Sequence, residues 1–207
     1  MGWKTDLILI EGDVASREEL LEVIGRPGYS IHKRGTCGDM FPPRSLVIGA
    51  YSGCTLVADP KLPTSIIDYP AGQDANRLVA NFADRQILCC VLHSVVNLAA
   101  FALYEKGELK RCFAASGDDG VFASTGKVLS AERKVTSQYA EISNGDGEIV
   151  YVDDDGETFT LDALGEDIVF EIVSMMTGKR PDRDEELFSA PADIYSKPPV
   201  LRALFRW

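Results

Sequence analysis

"LCCVLHSVVNLAAFALYEKGELKRCF", residues 88–113, is the stretch of sequence that decides the fold. Its first part is rich in Val and Cys, and its second part alternates apolar and polar residues on both sides of Lys106-Gly107. Residues of this kind favour a pleated, buried strand, and a Gly-containing pair between two alternating segments is typical of a hairpin turn. The stretch therefore predicts a buried strand over residues 88–96, followed by a hairpin that turns at Lys106-Gly107.

The same stretch also contains three of the five cysteines and one of the two histidines. On a helix, Cys89 and His93 would lie one turn apart on one face, as a thiolate–imidazole pair or two metal ligands would require. On a strand, the two residues share a face but lie about 13 Å apart. Because the strand is favoured, we expect core thiols and a histidine that serves the fold, and we expect His93→Ala to lower the melting temperature.

Hairpins and a few helices alternate irregularly along the rest of the chain. Capping residues and apolar spacing predict helices over residues 15–25, 73–84 and 164–182. Further hairpins are predicted at Ser52-Gly53 and Asp155-Gly156, and residues 26–44 are expected to form a polar, Gly- and Pro-rich connection. The pattern predicts an α+β fold with a mainly antiparallel sheet built from hairpins and a few packed helices.

The domain organisation expected from this pattern is a single α+β domain over residues 1–181, followed by a charged, Pro-rich tail over residues 182–207. The tail ends in "VLRALFRW", residues 200–207, whose apolar spacing fits one face of a short helix. So short a helix needs a surface to pack on. That surface is either the chain's own domain or a neighbouring subunit, and the second case predicts a homo-oligomer.

The charge balance bears on partners and compartment. The chain has 207 residues, a net charge of −11 and 32 acidic against 21 basic residues, which argues against nucleic acid as a partner. The acidity either serves solubility or forms a face that docks on a basic protein partner. No signal peptide or membrane span is visible, and the five cysteines have no disulfide-like spacing. We therefore expect a cytoplasmic protein with reduced thiols that does not enter a membrane.

Candidate catalytic residues are few. Cys37 lies in the predicted connection just after Lys33 and Arg34, whose charges would lower a thiol pKa, and Asp39 follows it. Cys37, Asp39 and His93 are the candidates for a thiol- or carboxylate-dependent site, with an incidental loop cysteine as the alternative interpretation of Cys37. A catalytic thiol would need one of the two histidines beside it in the fold. The spacing predicts no cofactor-binding residue and no metal ligand.

Three stretches resemble an uncharacterised family of small bacterial proteins: "LHSVVNLAAFALYEKGELKRCF", "GDDGVFASTGKVL" and "LGEDIVFEIVSMMTGKRPD". The likeness covers most of residues 1–180, including Gly2-Trp3-Lys4-Thr5 in the opening strand and the His-Ser-Val-Val run before the hairpin. The resemblance implies a bacterial, cytosolic origin and carries no activity with it.

Two classes of function follow from the sequence. The first is a non-enzymatic cytosolic protein that binds a protein partner or a small ligand, of a regulatory or toxin-neutralising type. The second is a thiol- or carboxylate-dependent enzyme such as a hydrolase. A pocket that brings Cys37 within hydrogen-bonding reach of a histidine would favour the enzyme.

Overall fold

The strands and helices were assigned from a computed structural model, which describes residues 2–41, 44–143 and 149–197. The described residues form two antiparallel sheets. Their strands are β1 Lys4–Glu11, β2 Ser30–Thr36, β3 Leu46–Tyr51, β4 Cys54–Ala58, β5 Ile87–His93, β6 Leu98–Glu105, β7 Glu108–Ser116, β8 Gly120–Gly126, β9 Ala140–Ser143, β10 Ile149–Val152, β11 Thr158–Phe159 and β12 Pro191–Ser196.

Six helices accompany these sheets in the described ranges, and the combination confirms the predicted α+β class. The large sheet has the order β2-β12-β3-β4-β1-β5-β6-β7-β8, and the small one has the order β11-β10-β9. The helices are α1 Arg17–Val23, α2 Leu62–Asp68, α3 Gln73–Asn81, α4 Ser130–Thr136, α5 Gly165–Thr177 and α6 Glu185–Ser189. None of the helices in residues 2–41, 44–143 and 149–197 is long and apolar enough to cross a membrane.

Residues 88–113 adopt the predicted strand and hairpin. β5 pairs with β1 on one side and β6 on the other, and β6 turns into β7 at Lys106-Gly107. Both turn residues have positive φ, 51° and 78°, as a tight two-residue hairpin turn requires. The strand ends at His93 instead of residue 96, because the chain reverses through a short 3₁₀ turn and a left-handed Asn97.

The large sheet is covered by helices on both faces. Alternate residues of β5 point to opposite sides: Cys89 and Val91 face the core beneath α1, α2 and α3, whereas Cys90 and Leu92 face the core beneath α4, α5 and α6. We call these the α1–α3 face and the α5 face of the sheet. A strand that is buried on both sides must be apolar throughout, which explains the run of apolar residues in this segment.

Two predicted features differ in the structure, both at one edge of the sheet. Residues 30–36, expected to lie within a polar connection, form the outermost strand β2, and residues 191–196, expected to lie within the tail, form β12 between β2 and β3. The β2 sequence is polar because the strand is exposed for most of its length, so it lacks apolar alternation. The final segment, residues 200–207, lies outside the described residues.

Candidate functional site

Cys37 is a buried thiol in the structure. It begins a 3₁₀ turn over Cys37–Met40 and has no solvent-exposed surface. Its Sγ lies so close to Gly49 of β3 that a Cβ atom there would be only 2.9 Å away. Burial raises the pKa of the thiol to about 11, because the thiolate loses its hydration. Lys33 and Arg34 were expected to lower the pKa of this thiol, but burial raises it. A raised pKa disfavours a reactive thiolate.

The carboxylate of Asp39 is occupied by the turn itself. Its Oδ2 accepts the backbone N–H of Thr36 at 3.0 Å, and its Oδ1 accepts a hydrogen bond from Lys33 Nζ at 3.0 Å. These two hydrogen bonds lower the pKa of the carboxyl group. Asp39 therefore closes the turn between β2 and the Cys37–Met40 segment.

His93 ends β5, where it lies opposite Lys4 of β1 and Leu98 of β6. It is half-buried, and the neighbouring Val95 is 85% exposed, so this end of β5 lies near the surface. Within the described ranges, no hydrogen bond joins Cys37 to His32 or to His93.

All five cysteines are free and buried. In residues 2–41, 44–143 and 149–197, no three His, Cys, Asp or Glu side chains are grouped so that they could hold a metal ion.

A cleft of about 580 Å³ lies on the α5 face, where β1 begins. Three rings surround it: Trp3 from the start of β1, Phe41 after the 3₁₀ turn and Phe188 from α6. The Trp3 ring centroid is 5.0 Å from that of Phe41 and 5.8 Å from that of Phe188, while the two phenyl rings are 5.7 Å apart. We call this site the aromatic cleft.

Backbone contacts fix Trp3 in place. Its N–H donates to Ser94 Oγ at 2.7 Å, its carbonyl oxygen accepts the N–H of Ser94 at 2.9 Å, and Ser94 Oγ also donates to Glu166 of α5. The indole ring lies edge-on to Phe170 of α5, with centroids 5.0 Å apart. Trp3 is thus held between the sheet and α5 while one side of its ring faces the cleft.

The opposite wall depends on α6 and a glycine. Asp184 caps α6 by accepting the N–H of Glu186 at 3.1 Å, and Tyr51 Oη donates to the same carboxylate at 2.7 Å. Gly38 lies against this wall, because a Cβ at that position would be 2.9 Å from the carbonyl oxygen of Phe188. A larger residue at Gly38 would push α6 and Phe188 away from the cleft.

The two charged residues that line the aromatic cleft differ in their partners. Asp182 accepts hydrogen bonds from Arg180 at 3.0 and 3.1 Å, and the same guanidinium also pairs with two other carboxylates. Lys4 is exposed, and in the part of the chain that the structure describes it forms no ion pair. Side chains alternate along β1, so Lys4 lies with Asp6 on the α1–α3 face, whereas Trp3 lies on the α5 face. The aromatic cleft is therefore defined by its three rings.

Sequence reasoning missed this cleft because its rings come from three distant segments. Trp3 was noted only for the family resemblance of residues 2–5. Phe41 lies in the predicted connection, residues 26–44, and Phe188 lies in the predicted tail, residues 182–207. None of Cys37, Asp39 and His93 lines the cleft, although Gly38 and Lys4, which do, are their neighbours in the chain or across the sheet. One signal was available in the sequence: Phe188 is an aromatic residue that closely follows three acidic ones.

The fold and the cleft define a mixed α+β protein with a preformed aromatic cleft and deeply buried thiols. The chain belongs to a family of unknown function, DUF6928, whose family model matches residues 33–185. This membership confirms the resemblance to an uncharacterised family. No curated protein and no solved structure matches the chain. The matched range includes Phe41 and Asp182, whereas Trp3, Lys4 and Phe188 lie outside it.

Proposed function

We propose that the protein is a non-enzymatic binding protein whose aromatic cleft holds a small ligand with an apolar ring or chain. The observation that supports this proposal is the group of three aromatic rings around one cleft. Ring faces offer apolar contact area to such a ligand.

The size of the cleft supports a small ligand. A volume of about 580 Å³ falls inside the range of roughly 300–1,000 Å³ typical of small-molecule sites, which are mostly apolar with a few placed polar groups. Asp182 shares the one guanidinium of Arg180 with two other carboxylates, so the cleft favours a neutral ligand over an anion.

The alternative, a thiol- or carboxylate-dependent hydrolase, has less support. Cys37 is buried with a raised pKa, and Asp39 is held by Thr36 and Lys33. Both the nucleophile and the base of such an enzyme would have to reach the substrate. Neither residue lines the aromatic cleft.

We also propose a cytoplasmic location for this binding protein. Five free, buried cysteines are consistent with a reducing cytoplasm, in agreement with the expected bacterial cytosolic origin. Docking of a basic protein partner on an acidic face, and a homo-oligomer formed through residues 200–207, stay predictions.

The test compares phenylbutyrate with its neutral counterpart phenylbutanol by calorimetry. The Trp207→Phe protein is used throughout, because it leaves Trp3 as the sole tryptophan and its emission then reports binding at the cleft. We expect both probes to change the Trp3 emission and the neutral alcohol to bind at least as tightly as the acid, because the rings supply the contact area and Asp182 disfavours a carboxylate.

Three variants assign the binding to the cleft. Phe188→Ser should weaken both probes, whereas Lys4→Gln and Lys127→Gln, which each remove an exposed lysine, should change neither. Absence of binding, or binding that Phe188→Ser leaves unchanged, would refute the proposal.

A further inference from the structure

A second cleft, of about 420 Å³, opens at the same end of the sheet but on the opposite face. β3 begins there at Leu46 and β4 ends there at Ala58, whose strand partner is Leu7 near the start of β1. Leu46 and Tyr195 line this cleft and belong to the core of the α1–α3 face. The aromatic cleft lies on the α5 face, so the two clefts do not share a wall of side chains.

This second cleft is mainly positively charged, whereas the whole protein is negatively charged. The chain carries a net charge of −11, yet four cationic side chains and one carboxylate line the cleft: Arg26, Arg44, Lys61, Lys197 and Asp59. We call it the cationic cleft. Arg44, Lys61 and Lys197 are exposed, and within the described residues none of the three forms an ion pair.

Arg26 is the fixed part of the cleft. Its Nε and Nη2 each donate to Asp59 at 2.8 Å, and its Nη1 donates weakly to the carbonyl oxygen of Gly25 at 3.3 Å. Asp59 is only 2% exposed and also accepts the backbone N–H groups of Lys61 and Leu62. The guanidinium has five N–H donors, so this arrangement holds it in one orientation and leaves two donors without a partner among the described residues.

From this geometry we infer that the cationic cleft binds a small phosphate-bearing molecule. A phosphate group carries close to two negative charges and three acceptor oxygens, so it can engage an oriented guanidinium and further cations at once, which a single planar carboxylate cannot. The cleft is larger than a phosphate group needs, and the half-buried ring of Tyr29 offers an apolar wall for an organic part of the ligand. The inference is independent of the function proposed for the aromatic cleft.

Calorimetric titrations with inorganic pyrophosphate and phenyl phosphate at low ionic strength test this inference. We expect both to bind, and we expect the affinity to fall as salt is added, because exposed charges are screened. Arg44→Gln and Lys61→Gln should each weaken binding about tenfold, the cost of one charge-assisted hydrogen bond. Lys61→Arg, which keeps the charge, should stay within a few-fold of the original protein.

Two controls make the result decisive. Lys127→Gln removes an exposed lysine that lines neither cleft and should leave the affinity unchanged. The melting temperatures of Arg44→Gln and Lys61→Gln should match that of the original protein, because both side chains are exposed, so a loss of binding cannot come from unfolding. Absence of binding, or equal weakening by Lys127→Gln, would overturn the inference.

Discussion

The aromatic cleft and the cationic cleft lie at the same end of one sheet, yet they are built in opposite ways. The rings of the first contact one another and the core, as Trp3 contacts both Phe41 and Phe170. The second has one fixed element, the Arg26–Asp59 pair, and its other cations extend into solvent. Changing the aromatic cleft should therefore cost stability as well as binding, whereas changing the cations should cost binding alone.

The largest expected difference between the clefts comes from Trp3→Ala. We expect this variant to lose about 3 kcal/mol of unfolding free energy, the lower end of the range for aromatic-to-alanine changes in a core, because Trp3 is only half-buried. Urea unfolding followed by circular dichroism measures it. Binding of pyrophosphate at the cationic cleft should persist at urea concentrations where the variant is still folded.

Matched variants show whether this cost belongs to the aromatic cleft. Tyr69 is 70% exposed, so Tyr69→Ala removes an aromatic ring from the surface and should change stability by no more than about 0.5 kcal/mol. Arg44→Gln should fall within the same limit. A Trp3→Ala protein as stable as either control would show that the indole is a surface group, and the contrast between the clefts would then fail.

The second prediction concerns pH at the edge of the cationic cleft. Asp6 accepts the backbone N–H of Asp59 through its carbonyl oxygen. Burial, and then the charge of Asp59, raise the pKa of the Asp6 carboxyl from 3.8 to about 6, while Lys4 lowers it. A raised carboxyl pKa means that the folded protein favours the protonated form, so ionisation of Asp6 destabilises the fold as the pH rises from about 4 to above 6.

Asp6→Asn removes that ionisation and should therefore stabilise the protein at pH 8. We expect a gain of about 1 kcal/mol, reduced by solvent screening because Asp6 is only partly buried. The gain should shrink as the pH falls through 6 and vanish below about 4. Melting curves from pH 4 to pH 8 measure it, with Asp118→Asn as an exposed control. A gain that is constant across this range would exclude titration of Asp6 as its cause.

Much of the fold could be predicted because its signals are local. Alternation and positive-φ turn residues identified the hairpins at Ser52-Gly53 and Lys106-Gly107, and a cap at Ser16 identified α1. β2 and β12 gave no such signal. They form by pairing across the chain, Pro191 with Thr36 and Ser196 with Ser30, and their energetics depend on partners that no short window of sequence contains.

The candidate site was less accessible to sequence reasoning for a related reason. Cysteines such as Cys37, Cys89 and Cys90 suggest a reactive site in the sequence because thiols can be nucleophiles. In the structure these thiols are small apolar groups in the core. The aromatic cleft uses ordinary aromatic residues whose meaning depends on proximity in space. Phe41 and Phe188 become a site because the 3₁₀ turn and α6 bring their rings 5.7 Å apart.

The smallest expected effect comes from His93→Ala, at the end of β5. The imidazole lies opposite Lys4 in the strand register, is half-buried, and within the described residues has no hydrogen bond that its loss would break. We expect a loss of about 0.5 kcal/mol, seen as a slightly lower melting temperature, because only packing contacts disappear. His32→Ala, at the exposed edge strand β2, should change nothing. The affinity for phenylbutyrate should stay within a few-fold of the original in both variants. A tenfold loss of binding in His93→Ala with an unchanged melting temperature would place His93 in the aromatic cleft as a ligand-contacting group.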